Sequence, residues 1–283
     1  YAFTIKNIAA SHNVRAFYLT ASIGLFEKCC IMVAKLLDIP VFVAQHGSGV
    51  GFGNLDACFM DNTTFLVFGK KHKEQLVEMG VAPEHIAVTG SPMVDELAVR
   101  VPAKSSQPMH ILILTQPFVE DALWTEQQRD EFFSALQDLM QSFSGSSFSF
   151  KIHPREKKEL YEKKFPGVPV AIINLYDEIV ASDLVVGVTS TSLMEALLLN
   201  RPGVVLDLFG QARELPFVVA GLTYWCRDCL GIESAVRSYL TFYHSPDFDR
   251  KREQFIADYF STLDGKSTER IVRLVERSLQ KSI

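Results

Sequence analysis

Ser182-Asp183-Leu184-Val185-Val186-Gly187-Val188-Thr189-Ser190-Thr191-Ser192-Leu193-Met194-Glu195-Ala196 reads as a single passage from strand to helix. A short apolar run meets the hydroxyls of Thr189, Ser190, Thr191 and Ser192, and a helical pattern with an early glutamate follows. The first-turn N–H groups of a helix have no partner inside it and carry the positive end of its dipole. An open α/β sheet builds anion sites in this way. The hydroxyls can cap the helix or add O–H donors to a phosphate. An ordinary capped helix start satisfies the same segment equally well.

Working outward, apolar runs predict strands at His110 to Leu114, Ser147 to Ile152, Val170 to Ile173, Leu184 to Gly187, Val204 to Leu208 and Leu222 to Trp225. Helical spacing lies between them at Thr125 to Phe143, Lys157 to Phe165, Leu193 to Leu199 and Ser234 to Phe242. Short strands that are apolar on both faces and alternate with helices imply an α/β fold with a doubly wound parallel sheet. Earlier in the chain, Phe17 to Leu37 has helical spacing and is stopped by Asp38-Ile39-Pro40 before the strand Val41 to Ala44. A strand at Thr64 to Phe68, a helix at Lys70 to Met79 and a strand at Ile86 to Thr89 come next. That gives about three strands in a first domain that looks truncated. Val99 to Pro108, with two prolines, two serines and two basic residues, reads as a linker. The tail from Phe248 to Ser282 predicts two helices around Leu263-Asp264-Gly265-Lys266, the last capped by Ser267 or Thr268. The resulting division is a partial first domain over 1–100, a second over 108–265 and a terminal helix over 266–283.

The 283 residues carry a formal charge of -5, which argues against general nucleic-acid binding and leaves room for a local basic pocket for a phosphorylated ligand. The cysteines are odd in number and unevenly spaced, as in a reducing, cytoplasmic setting. Cys226-Arg227-Asp228-Cys229 has no second CxxC, so two partly buried thiols are expected there and no metal site. No apolar run reaches membrane-span length, and the start does not read as a signal peptide. Arg270, Arg273, Arg277 and Lys281 form a basic helix face, read first as solvated and second as a peripheral contact with an anionic membrane surface.

Lys151-Ile152-His153-Pro154-Arg155 is the second chemical signal, because a strand ends with cations on either side of a histidine. His153 can donate to a phosphate oxygen, while Lys151 or Arg155 supplies full charge. This strand end and the hydroxyl cluster share the carboxyl edge of one predicted sheet, where open α/β folds bind ligands. Glu195 suits the vicinal hydroxyls of a ribose, or alternatively the helix dipole. In the first domain, Gln45-His46-Gly47-Ser48-Gly49 opens a glycine-rich loop at a strand end, with His46 placed for proton transfer and Gln45, Gly47 and Gly49 lining a cleft. Gly90 and Ser91 end another strand as lining, Asp95 is expected to cap its own following turn, and Gln116 belongs to a third edge loop. Neither GxGxxG nor GxxxxGK[ST] is present.

Together, Gln45 to Gly47, Val88 to Pro92 with Asp95, Lys151 to Pro154, and Asp183 to Glu195 with Arg201-Pro202 resemble the GT-B superfamily of nucleotide-sugar enzymes. The resemblance covers most of the chain. It is nearest to bacterial surface-polysaccharide and teichoic-acid-type transferases, with local similarity to UDP-N-acetylglucosamine 2-epimerases around Val88 to Leu97. It implies two Rossmann-like domains facing a cleft, with the donor in the second domain, the acceptor in the first, and the terminal helix crossing back. It further implies an enzyme of polysaccharide or cell-envelope biosynthesis, expected in the cytoplasm, with the inner face of the membrane as the second placing. Such an enzyme transfers a sugar or polyol phosphate from a CMP-, CDP- or UDP-linked donor to a glycan or lipid-linked hydroxyl, without cofactor or metal. By position, His153, Pro154, Ser190, Thr191 and Ser192 would contact donor phosphate, Glu195 the ribose, and His46 the reacting centre. Epimerases carry a glycine pair followed by adjacent glutamates where this chain has Thr191-Ser192 and a single Glu195, a departure that favours transfer. Epimerase or hydrolase action and a noncatalytic binding partner are the alternatives.

Overall fold

The computed structural model describes residues 1–22, 24–46, 62–99, 108–172 and 174–281. The elements in chain order begin with α1 (Ala2–Ser11), β1 (Phe17–Leu19), α2 (Leu25–Leu36), β2 (Val41–Ala44), β3 (Thr63–Val67), α3 (Lys70–Glu78), β4 (Ile86–Val88) and α4 (Pro92–Asp95). There follow β5 (His110–Leu114), α5 (Glu126–Ser142), β6 (Ser147–Lys151), α6 (Lys158–Lys164), β7 (Val170–Ala171), α7 (Leu175–Ala181), β8 (Leu184–Gly187) and α8 (Thr191–Leu198). The last are β9 (Gly203–Leu206), α9 (Pro216–Val219), β10 (Thr223–Cys226), α10 (Ile232–Tyr243), α11 (Pro246–Tyr259) and α12 (Ser267–Lys281). Packing divides the chain into a first unit of residues 1–99 with 256–283 and a second of residues 100–255.

The first unit is built on a parallel sheet in the order β1-β2-β3-β4. Helical spacing over Phe17 to Leu37 misreads its first residues, since Phe17 to Leu19 pair with Val41 to Val43 and the helix begins only at Leu25. Pairing with the already buried β2 overrides local periodicity here, and the sheet gains a fourth strand among the described residues. Alternation of side chains then divides the residues between two faces. Val41, Val43, Phe65 and Val67 enter a core with Ile5, Ile31, Val33 and Ala34, whereas Phe42 and Leu66 turn the other way and meet Ile271 of α12.

The start of α12 is fastened to the loop after β4. Asp95 accepts from the backbone N–H groups of Ser267 (2.9 Å) and Thr268 (2.8 Å) and from Thr268 Oγ1 (2.9 Å). Arg270 Nε donates to the carbonyl of Thr89 at 2.7 Å. Asp95 therefore satisfies the orphan donors of a helix 172 residues downstream, not those of its own turn as local reading expects. Gly90, at φ +78°, lies so close to this helix that a Cβ would stand 2.4 Å from Ser267 Oγ and 3.0 Å from Arg270 Nη2. Its missing side chain leaves room for this helix to dock. Ser91 beside it is buried.

The second unit holds a parallel sheet in the order β10-β9-β8-β5-β6-β7. Ile111, Ile113, Phe150, Leu184, Val186, Val204 and Leu206 share one face with Phe132, Phe133 and Leu136 of α5, Tyr161 of α6, and Ile232 and Val236 of α10. On the other face α8 packs against β8 and β9. Both units are therefore doubly wound parallel α/β layers. Among the described residues no helix is long and apolar enough to cross a membrane.

Burial pushes the Asp95 carboxyl up, but the hydrogen bonds from Thr268 and Ser267 outweigh it and hold its pKa below the ordinary value. A lowered folded-state pKa gives stability that is present above the unfolded value and is lost as pH falls through the folded one. Asp95→Ala is predicted to cost about 1–2 kcal/mol at neutral pH, in the range of a lost helix cap. The difference from wild type should shrink below about pH 4, as read by urea unfolding with circular dichroism across a pH series.

Candidate functional site

Strand order in the second unit reverses at β5, which has β6 on one side and β8 on the other. Connections leaving β5 and β8 must part at the carboxyl edge, and that parting opens a crevice. One side chain spans it: Gln116 Oε1 accepts from the backbone N–H of Thr189 (2.9 Å) and from Thr189 Oγ1 (3.0 Å). With its oxygen engaged twice, the carboxamide of Gln116 keeps its N–H2 group as the donor end.

Beyond Thr189, Ser190 takes extended backbone geometry and its Oγ accepts from the N–H of Ser192 at 3.1 Å, so it is the N-cap of α8. Thr191 is exposed and Ser192 half-buried. The helix lies close to the sheet because Gly187 and Gly203 leave room for Leu193. A Cβ at Gly187 would stand 3.1 Å from Leu193 Cδ1. At the other end Arg252 donates Nε to the carbonyl of Leu197 (2.7 Å) and Nη2 to that of Leu198 (2.8 Å). Both ends of α8 are thus held.

The end of β6 is more constrained than its sequence suggests. Lys151 Nζ donates to the carbonyls of Ile172 (2.6 Å) and Ile152 (3.2 Å), and burial holds its pKa below the usual lysine value while Glu178 and Glu156 oppose the shift. Arg155 forms a two-pronged pair with Asp121, with Nη2 to Oδ2 at 2.9 Å. His153 Nδ1 accepts from the backbone N–H of Arg155 at 3.2 Å, which leaves the neutral ring's proton on Nε2. Sequence reading missed Glu156, which is buried and accepts from the His153 N–H (2.8 Å), Thr115 Oγ1 (2.6 Å) and the Tyr161 hydroxyl.

These loops enclose a cavity of ≈ 380 Å³. Gln116, Lys151, His153, Pro154 and Arg155 line one part of it, and Ser190, Thr191 and Ser192 the other. The two distant signals of the sequence therefore meet in one pocket. Glu195 stands apart from that lining, one turn into α8. Burial pushes its pKa up, opposed by hydrogen bonds from Tyr176 and Ser192, and the Tyr176 hydroxyl donates to Oε1 at 3.1 Å.

The other candidates belong to the first unit. Gln45 is buried, its N–H donating to Leu66 and its Oε1 accepting from the N–H of Phe68 at 3.0 Å, so it ties β2 to the end of β3. His46 is exposed just beyond β2. Gly47 and Gly49, with Gly51 and Gly53, lie outside the described residues. Among the described residues no cluster of three or more His, Cys, Asp or Glu has a metal-holding arrangement. Cys226 and Cys229 donate to the carbonyls of Val205 and Ala135, and burial first of all pushes their thiols up to about 12 and about 11. They are packed thiols, not activated ones.

No family model and no curated protein matches this sequence. Solved structures do match it. The UDP-GlcNAc 2-epimerase of Methanocaldococcus jannaschii, solved with UDP-GlcNAc and UDP, superimposes with a TM-score of 0.64 at 16% identity, covering 98% of this chain and 79% of that one. The UDP-GlcNAc 2-epimerase of Neisseria meningitidis, bound to UDP-GlcNAc, gives 0.63 at 14% identity over 98% and 80%. The wall teichoic acid polymerase TagF gives 0.58 at 13% identity over 95% and 73%. The fold is GT-B-like. At these identities the likeness is one of architecture, and the epimerases share it more fully than the polymerase does.

Ser190→Ala is predicted to cost about 1 kcal/mol through loss of the α8 cap. Thr191→Ala, at an exposed first-turn position, should stay within about 0.5 kcal/mol of wild type. Urea unfolding of the two variants side by side measures the contrast.

Proposed function

We propose that this chain acts on a nucleotide-activated sugar and binds the nucleotide diphosphate in the pocket of the second unit. The observation that carries this reading is the convergence on one cavity of the α8 first turn, the Gln116 carboxamide and His153. Fixed donors of this kind favour negative charge without reorganising. In this reading the N–H and hydroxyl of Thr191 take one phosphate, since the Ser192 N–H caps onto Ser190 and its hydroxyl turns to Glu195. His153 donates from Nε2 to a phosphate oxygen, and the buried charge of Lys151 adds to the field. Arg155 is committed to Asp121 and helps shape the rim. Glu195 is assigned to the ribose hydroxyls, and His46 to proton transfer at the sugar.

Among the chemistries open to such a site, UDP-sugar 2-epimerase or hydrolase action is the preferred one. Its support is the fuller match to the epimerase structures, 98% of this chain at TM-scores of 0.63 and 0.64 against 95% at 0.58 for the polymerase. The donor cradle would offset charge on the departing diphosphate, and inversion at C2 needs a base that removes the hydrogen and an acid that returns one. Transfer to a hydroxyl acceptor is the second reading, favoured by Thr191-Ser192 with a lone Glu195 in place of the glycine pair and adjacent glutamates.

Incubation of the protein with labelled UDP-N-acetylglucosamine, with and without hydroxyl acceptors, separates these outcomes. The preferred reading expects an epimer, or free sugar with UDP, in the absence of acceptor. Product formed only with acceptor would replace it by transfer, and no turnover together with no UDP binding would contradict both. His153→Ala is expected to weaken UDP binding about tenfold in calorimetric titration, the size of one lost hydrogen bond to a charged group, with unchanged circular dichroism.

A further inference from the structure

His153 sits on a short turn, and no strand or helix fixes its ring. Its presentation depends on what holds that turn. Two hydrogen bonds close it: the N–H of Glu156 donates to the carbonyl of His153 at 2.9 Å, and the N–H of His153 donates back to Glu156 Oε2 at 2.8 Å. The same Oε2 accepts from Thr115 Oγ1 at 2.6 Å, at the end of β5. Oε1 accepts from the hydroxyl of Tyr161 on α6, a ring packed between Phe133 and Phe150. A carboxylate that is 8% exposed is thus supplied with three donors from three separate parts of the unit. Removing one member of such a network leaves buried groups unpaired. The turn that Glu156 closes also places the N–H of Arg155 on His153 Nδ1, and that contact selects the Nε2–H tautomer.

We propose that Glu156 is the positioning residue of the pocket: its buried carboxylate locks the His153–Glu156 turn and so presents His153 as an Nε2–H donor to the phosphate of a nucleotide. The ligand in this statement rests on the function proposed above, while the locking of the ring stands on the hydrogen bonds alone. Glu156 is remote in kind from a catalytic residue, since it acts only through His153. It explains why a histidine next to a proline on a connecting turn is held in one tautomer, and why Glu156, just ahead of α6, is buried.

Two readouts on the intact chain test this. In a long-range ¹H–¹⁵N spectrum at pH 8, assigned by its disappearance in His153→Ala, the His153 ring should show a protonated Nε2 and an unprotonated Nδ1. Glu156→Gln keeps the side-chain size but sets an N–H2 group among three donors, and it should drive the two nitrogen shifts toward an average. In UDP titrations Glu156→Gln and His153→Ala should each weaken binding about tenfold, and the double variant should bind no more weakly than His153→Ala. Additive losses, or an unchanged ring spectrum in Glu156→Gln, would overturn the proposal. Should Glu156→Gln lose its circular dichroism, Glu156→Asp keeps the charge on a shorter arm and is expected to average the same ring signals, with unaltered signals counting against the proposal. Wild-type protein that binds no UDP would sink the functional reading, and the ring spectra would still decide the positioning role.

Discussion

Parallel hydrogen bonding on both sides of β5 is the constraint on which the second unit depends. Once His110 to Leu114 pair with Ser147 to Lys151 on one side and Ile111 to Ile113 with Leu184 to Val186 on the other, the chain must leave the sheet in opposite directions at its carboxyl edge. The crevice, the bridge from Gln116 to Thr189 and the approach of α8 all follow from that parting. Chemistry is added to the opening by whatever side chains end the strands. Here these are Thr115 and Gln116, His153 to Glu156, and Thr189 to Ser192.

Much of the pocket's polarity is already spent on itself. Lys151 holds two carbonyls, Arg155 holds Asp121, and Glu156 is held by three donors. What is left to meet a ligand is a set of mainly neutral, fixed donors: the N–H and hydroxyl of Thr191, an amide and an imidazole. Such a set fits an oxyanion without the flexible lysines that would also attract nonspecific polyanions, in keeping with a chain of net charge -5.

Most strands of both sheets were legible in the sequence, because buried parallel strands are apolar on both faces and short. Phe17 to Leu19 was not, since three residues carry no period of their own and the apolar helix after them extends the pattern backwards. The helix Leu175–Ala181 is hard to read for a similar reason, being only two turns long. Site residues divide along the same line. His153 and the Ser190 to Ser192 cluster announce themselves at strand ends, and the fold brings them to one cavity. Glu156 was hidden at the head of a charged run that reads as a solvated helix. The available signal was its position three residues after His153, where a side chain can return to the turn's own N–H. Asp95 and Gly90 answer to a helix far along the chain, and no local pattern encodes that partnership.

The proposed function places a nucleotide diphosphate against the first turn of α8 beside His153 and Gln116. The most direct measurement is a crystal structure of the protein soaked with uridine diphosphate. Phosphate oxygens are expected within hydrogen-bonding reach of the Thr191 N–H and His153 Nε2, with the pair of Gln116 and Thr189 intact. Diphosphate bound elsewhere, with the α8 first turn and His153 facing only solvent, would contradict it.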